Sequence, residues 1–285
     1  MDGLRAEGDA RYAPRDPAAV SRRGGIGKPA DVVGVALSAL TSLGELTQLF
    51  LDSARAAFRR PFAFDEFAQQ IAFIARVSIL PAIFITIPFT VVIQFFLGQL
   101  LAQIGAIDLA GAGAGFALVR ELGPFCAVLV VAGAGATAVC ADLGARTVRE
   151  EIDALRVIGI EPVQRLVVPR ILAFAVVSLG LFGLVAITGI VCSFLFSVLV
   201  QGASPGLFVA NLTLLTTPAD FLLAMFKSAL FGVAAGVVAC HLGLHVKGGA
   251  KGVGSAVNQT VVFSLMLLVV LNTLTTAVYQ QVTGR

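Results

Sequence analysis

The sequence has 285 residues, of which 58% are hydrophobic and only 13% are charged, and its net charge is +3. Soluble domains carry roughly 25% charged and 45–50% apolar residues, so this composition lies outside their range. Its uncharged runs are too long to be buried together in one soluble globule. The composition therefore predicts an integral membrane protein, and the modest net charge gives no reason to expect nucleic-acid binding.

The N-terminal region differs from the rest of the chain. Residues 1–31 are polar, of mixed charge and without an apolar core segment, which predicts a disordered cytoplasmic tail rather than a signal peptide. Residues 32–76 are predicted to form interfacial helices, because polar residues recur there at helical spacing opposite an apolar face. The polar stripe consists of Thr41, Glu45, Gln48, Asp52, Arg55 and Arg59. Packing of this helix on a soluble partner is the alternative.

Five long stretches that hold at most one charge predict five transmembrane helices. They are Val77–Ile107, Leu122–Ala141, Ile171–Val200, Phe221–Val246 and Gly252–Gly284. Pro81 and Pro88 predict a kink or a break in the first. Lys227 is the single charge, in the fourth, and we expect it either to snorkel to the interface or to pair with Asp220.

Lysine and arginine predict the orientation. They are concentrated before the first span, after the second and after the fourth, whereas Gln201–Asp220 has none. A multi-pass protein of the cell membrane with a cytoplasmic N-terminus and an extracytoplasmic C-terminus satisfies this pattern.

The segment from Ala141 to Arg170 holds ten of the chain's 37 charged residues. Thr147 and Glu150 have the spacing of a capping box, which predicts a short amphipathic helix at about residues 148–158 with an Arg149–Asp153 pair on its surface. Such a helix suits docking on a soluble partner, and a solvated loop helix without a partner is the alternative.

Four motifs resemble those of the MlaE/YrbE permease family, the membrane subunits of ABC-type lipid transporters. They are RELGP (Arg120–Pro124), VAGAGATAVCADLGA (Val131–Ala145), REEIDALRVIGIEPVQRLVVPR (Arg149–Arg170) and GGAKGVGSAVN (Gly248–Asn258). The match is closest to the A-type YrbE permeases of actinobacterial Mce systems. It identifies residues 77–285 as an MlaE-type permease domain. The implied fold is an all-α integral membrane protein, with an N-terminal interfacial helix, five transmembrane helices and a cytoplasmic coupling helix between the second and third.

The resemblance implies a set of partners. A second YrbE-type permease, of the B type, completes a heterodimer, a cytoplasmic ABC ATPase dimer binds ATP and Mg, and MCE-domain proteins assemble on the outer side. This chain is then expected to have no cofactor, catalytic residue or metal of its own. The coupling helix meets the ATPase through Arg149, Glu150, Glu151, Asp153 and Arg156.

The implied activity is ATP-driven movement of lipid, fatty acid or sterol, with import favoured. A membrane scaffold for an envelope complex is one alternative. An ion-coupled secondary transporter is another, which we rank lower because the five predicted spans contain no carboxylate.

Two groups of residues are candidates for substrate binding and helix packing. Arg120 and Glu121 are expected at the outer end of the second span, where they either meet a lipid headgroup or anchor the helix. Glycines in the second and fourth spans predict close helix packing. They are Gly133, Gly135, Gly232 and Gly236.

Overall fold

The computed structural model describes residues 44–56 and 63–283, and this part of the chain is almost entirely helical, with no strand. The tail predicted for residues 1–31 lies outside the described residues. So do residues 32–43 and 57–62 of the predicted interfacial region.

Eight helices follow one another in the described residues. They are α1 (residues 44–56), α2 (Phe64–Gln103), α3 (Ile107–Val148), α4 (Glu151–Val157), α5 (Val163–Leu199), α6 (Pro205–Asn211), α7 (Pro218–Leu244) and α8 (Gly249–Thr283). Five of them, α2, α3, α5, α7 and α8, are long and apolar enough to cross a membrane. The predicted number of spans is confirmed.

The first spanning helix is longer than its uncharged stretch. Residues 65–76, expected to be a separate interfacial segment, form the first turns of α2. Neither Pro81 nor Pro88 breaks this helix, so a break at the prolines is excluded. With 40 residues α2 is about 60 Å long at the usual rise per residue, about twice the thickness of a hydrocarbon core. The helix must therefore tilt strongly or extend beyond the membrane.

The second spanning helix also begins earlier than expected. It starts at Ile107 rather than Leu122, so Arg120 and Glu121 lie inside it. Its early part is rich in glycine because α6 and the chain after it cross closely: a Cβ atom on Gly111 or Gly115 would collide with the carbonyl oxygens of Phe208 and Leu212. Two π-helical turns interrupt α3, at Leu118–Leu122 and Val131–Gly135.

The chain direction gives the bundle two distinct ends. Helix α4 connects α3 to α5 at one end, here called the α4 end, and α6 connects α5 to α7 at the other, the α6 end. Helix α2 packs mainly along α5, α5 along α7, and α8 along α7 and the C-terminal half of α3. The most apolar window of α3 is 61% buried and that of α8 only 11%, so α8 leaves most of its surface open to lipid or to a partner.

Helix α2 faces α5 with small and polar residues at every fourth position. This buried row consists of Gln70, Ile74, Ser78, Ala82, Thr86, Thr90, Gln94 and Gly98. Rows with a spacing of four are the ridges that interlock when two helices cross at a steep angle. Gln94 stabilises the contact because its Nε2 donates to the Ser197 hydroxyl at 2.7 Å.

Three of the four predicted packing glycines lie against another helix. A Cβ on Gly135 would come within 3.2 Å of Ile74 and Phe174, and one on Gly236 within 2.8 Å of the Phe174 ring. A Cβ on Gly232 would collide with the Ser178 hydroxyl and lie 2.6 Å from the Phe174 carbonyl oxygen. Gly133 differs, because no neighbouring helix in the described residues comes within 4 Å of its would-be Cβ; the close packing predicted for it is wrong within this chain.

We predict that Gly232→Ala lowers the stability of the bundle by about 1–3 kcal/mol, the usual cost of overpacking, because a backbone carbonyl and a buried hydroxyl must give way. Thermal unfolding in detergent measures the effect. Gly183→Ala is the matched control, since Gly183 is also helical and has open space at its Cβ. Equal melting temperatures for the two variants would contradict the packing assignment.

Candidate functional site

A lysine is completely buried between three spanning helices near the α6 end. Lys227 of α7 is 0% exposed, and its Nζ lies 3.3 Å from a Glu121 carboxylate oxygen of α3. The same ammonium donates to the Thr276 hydroxyl of α8 at 2.8 Å. A buried charge requires a partner of this kind, because losing water without one costs several kcal/mol. The ion pair therefore fixes how α3, α7 and α8 meet.

An arginine and a second carboxylate lie beside this pair. The Arg120 guanidinium stacks on the rings of Phe116 and Tyr279, at 5.2 and 5.5 Å from their centroids. The Tyr279 hydroxyl donates to Asp220 at 3.0 Å. Asp220 also forms a capping box with Thr217 and so begins α7. The result is a cluster of charged and hydroxyl groups on three helices, here called the polar cluster.

The arrangement differs from expectation in two respects. Arg120 and Glu121 lie 13 and 14 residues inside α3, in a π-helical turn, and not at its end. Lys227 neither snorkels nor pairs with Asp220, because it lies over Glu121 while Asp220 is held by Thr217 and Tyr279. The sequence singled out both Glu121 and Asp220. Which of them pairs with Lys227 depends on how the helices pack, and residue spacing does not show that.

An apolar cavity adjoins the polar cluster in the groove between α7 and α8. Its volume is about 380 Å³. Its lining consists of Leu223, Phe226, Leu274, Thr275, Val278 and Tyr279. Tyr279 belongs to both features, with its ring on the cavity and its hydroxyl on Asp220. Glu121 keeps 42% of its side chain exposed, so charged groups and apolar surface are reachable side by side. Such a pairing suits an amphipathic ligand.

The segment at the α4 end is helical, as expected, but begins differently. Helix α4 is Glu151–Val157, and Glu150 before it has a left-handed backbone with φ of 59° and no capping bond. The predicted capping box is wrong because the Thr147 hydroxyl donates to the carbonyls of Leu143 and Gly243 instead. Thr147 thus terminates α3 against α7.

The surface of α4 presents charge and exposed apolar side chains together. Arg149 pairs with Glu151 at 3.1 Å and Arg156 with Asp153 at 2.9 Å, so the expected Arg149–Asp153 pair is wrong. Ile152 is buried, whereas Val157 is 86% and Ile158 67% exposed. Two apolar side chains on an otherwise charged tip favour a contact with another protein.

Sequence reasoning missed a second buried ion pair, at the α4 end. Arg170 of α5 is 0% exposed, and its Nη2 lies 2.6 Å from a carboxylate oxygen of Asp142 in α3. In the sequence Arg170 is the last residue of the charged segment that follows the second predicted span. Its apolar neighbours on both sides were the available signal of burial.

No group of three or more potential metal ligands occurs among residues 44–56 and 63–283. His241 and His245 stack with ring centroids 4.5 Å apart, and His245 Nδ1 contacts the His241 carbonyl oxygen. The two rings therefore take part in packing at the end of α7.

Five spanning helices, a charged connection at one end and a buried polar cluster near the other define a multi-pass membrane protein. The model of the family described as Permease MlaE matches residues 67–278. The chain belongs to this family, and the resemblance seen in its motifs is confirmed.

Relatives agree with this assignment. A probable ABC transporter permease protein of Synechocystis is 33% identical over 168 residues, covering 59% of this chain and 64% of the relative. The chloroplastic protein TRIGALACTOSYLDIACYLGLYCEROL 1 of Arabidopsis thaliana is 35% identical over 191 residues, covering 67% and 53%. The chain thus aligns with a little over half the length of these two. A probable ABC transporter permease protein of Rickettsia bellii is 26% identical over 250 residues, which is 93% of its length.

The chain is accordingly a permease of this family, and its relatives in Synechocystis and Rickettsia bellii are named as probable ABC transporter permease proteins. One sequence argument against ion coupling does not hold, however. Glu121 is a carboxylate well inside α3, so the expected lack of acids within the spans is wrong. A shortage of acids therefore gives no argument for ATP as the energy source.

We predict an asymmetry between the two halves of the buried pair. Glu121→Gln leaves the fully buried Lys227 without a counter-charge and is expected to destabilise the protein by about 3–5 kcal/mol. Lys227→Met leaves a half-exposed carboxylate that water can reach, so its cost is expected to be smaller.

Thermal unfolding of both single variants and the double variant measures this asymmetry. The double variant is expected to recover part of the loss caused by Glu121→Gln, because it removes the orphaned charge. Equal destabilisation by the two single changes, with simple additivity, would show that the pair is not an electrostatic unit.

Proposed function

We propose that this chain is one of two permease subunits of an ATP-driven lipid transporter that works with MCE-domain proteins. The cargo is a lipid, fatty acid or sterol, and transport is inward across the cell membrane. The second subunit is a B-type YrbE permease, as in actinobacterial Mce systems. The N-terminus and the α4 end face the cytoplasm, and the C-terminus lies outside.

The observation that carries the proposal is the polar cluster beside an apolar cavity. A lipid has a polar head and long apolar tails, and the two features lie next to each other at Tyr279. The stacked Arg120 provides donors for a phosphate or carboxylate, and half-exposed Glu121 provides an acceptor for a hydroxyl or amine. Lys227 is already satisfied by the protein, so we assign it to holding Glu121 in place.

The proposed energy input is at α4. Its exposed Val157 and Ile158, together with the ion-paired charges around them, form a convex tip that suits a groove on an ATPase subunit. Because α4 joins α3 directly to α5, a displacement of the tip is transmitted to two spanning helices at once. ATP and Mg belong to the ATPase in this scheme.

We predict that Arg120→Ala abolishes most ATP-dependent lipid movement by the reconstituted complex but leaves the complex assembled. The reason is that Arg120 lies over two rings and forms no ion pair within 4 Å among the described residues, so its loss removes headgroup donors. Asp220, which Arg120 attracts, keeps its hydrogen bonds with Thr217 and Tyr279. The measurement is transfer of a fluorescent lipid between vesicles with and without ATP. Unchanged transfer would exclude Arg120 from substrate binding.

Photocrosslinking separates specific lipid contact from bulk lipid. A photoreactive residue in place of Val278, in the cavity, is expected to label lipid in a way that excess unlabelled substrate suppresses. Phe84 on α2 is the control, because it is 66% exposed and far along the chain from the cluster. Assembly without saturable labelling would favour a scaffold, and transfer driven by an ion gradient without ATP would favour a secondary transporter.

We predict that Glu151→Lys combined with Asp153→Lys detaches the ATPase or uncouples hydrolysis from transport. Both side chains are exposed, so the fold is expected to change little. Asp52→Lys is a matched control, since Asp52 belongs to a similar exposed pair with Arg55 on α1. Co-purification of the ATPase and lipid moved per ATP are the readouts, and survival of both would refute docking at α4.

A further inference from the structure

The buried ion pair at the α4 end joins the two helices that flank α4, so any displacement of α4 acts on this pair first. Asp142 precedes α4 by nine residues on α3, and Arg170 follows its end by 13 residues on α5. Their contact of 2.6 Å closes the loop that carries α4. The ends of α3 and α5 are therefore held together and are expected to move with α4 as one body.

The same arginine also points toward a third helix. Arg170 Nη2 lies 3.7 Å from a carboxylate oxygen of Glu66, in the first turn of α2. This distance is beyond hydrogen-bond range but within range of strong attraction between a buried cation and a carboxylate. Glu66 is held in place by Gln70, whose Nε2 donates to it at 2.8 Å. Arg170 is thus shared unequally between one close and one more distant acid.

The guanidinium is not fully satisfied in this arrangement. Its Nη1 donates to the Leu166 carbonyl at 3.0 Å, but its buried Nε has no hydrogen-bond partner. A purely structural buried arginine would be expected to have its donors occupied. An arginine that lies between two acids and has an unused donor is able to hydrogen-bond with its neighbours in more than one way.

We propose that Arg170 is a positioning residue that relays movement of α4 to α2 through Glu66. When α3, α4 and α5 shift together, Arg170 moves with them and pulls the first turn of α2 by its attraction to Glu66. The relay rests on the proposed function, because it assumes that an ATPase acts on α4. It adds a path by which the first spanning helix, which α4 does not adjoin in the chain, responds to ATP.

The test uses Glu66→Gln, which removes the charge but keeps a similar shape and leaves the Arg170–Asp142 pair intact. Asp65→Asn is the matched control, because Asp65 is the neighbouring acid in the same first turn and is exposed. Both variants are purified as the complex with the ATPase. Glu66→Gln is expected to retain the bound ATPase and its hydrolysis while lipid moved per ATP falls about fivefold or more, the lower range of ordinary coupling factors. Asp65→Asn is expected to match the unmodified complex.

A second readout does not depend on lipid. A spin label at Gln69, an exposed position one turn along α2, is expected to report an ATP-dependent change in the unmodified complex and in Asp65→Asn, and none in Glu66→Gln. Persistence of the change in Glu66→Gln would overturn the relay. So would loss of the ATPase from that variant, since the residue would then serve assembly only.

The failures of the two proposals are distinguishable. If the unmodified complex changes its label signal with ATP, Glu66→Gln abolishes that change and neither complex moves lipid, the lipid assignment is wrong and the relay stands. If the unmodified complex moves lipid and Glu66→Gln moves it equally well per ATP, the relay is wrong and the transport function stands.

Discussion

The pairing of buried charges across helices is the constraint on which the bundle depends. Apolar helices in lipid have no hydrophobic preference for one neighbour over another, so specific contacts must select the arrangement. Lys227 and Arg170 are each 0% exposed, and each lies against a carboxylate on α3. Removing the carboxylate of either pair leaves a buried cation without its close counter-charge, which costs about 3–5 kcal/mol. Helix α3 is thereby fixed at two points, to α7 and α8 at Glu121 and to α5 at Asp142.

Close packing of small residues adds further contacts to the helix arrangement that the buried ion pairs select. Gly232 and Gly236 bring α7 onto Phe174 of α5, and the row of small and polar residues brings α2 onto the same helix. Dispersion between closely spaced atoms replaces the hydrophobic effect as the attraction between such surfaces. Helix α8 makes fewer of these contacts and keeps most of its apolar surface open, which is consistent with a helix that faces lipid or a second permease.

Much of the fold could be predicted from the sequence, because an apolar stretch of about 20 residues without charge is typical of a transmembrane helix. The number of spans, the α4 connection and the family could be predicted in this way. The ends of the helices could not, because α3 continues through glycines that look like a loop and are in fact contact points for α6 and the residues after it. The partner of Lys227 could not be predicted either: Asp220 is closer in sequence, but Thr217 and Tyr279 occupy it. The helix start at Glu150 failed for a similar reason, since Thr147 was engaged by α7.

Helix α3 connects the two regions on which the proposed function rests. Glu121 and Asp142 are 21 residues apart on this helix, about 32 Å at the usual rise, so one helix bears a member of the polar cluster and a member of the pair beside α4. A straight α-helix would carry an axial shift between them unchanged. Helix α3 instead has a π-helical turn at Val131–Gly135, midway between the two acids, and such turns are inserted where a helix departs from regular register. This turn is therefore where a movement passed from α4 to the segment near Asp142 can be taken up without displacing Glu121, which the Lys227 pair holds in its place.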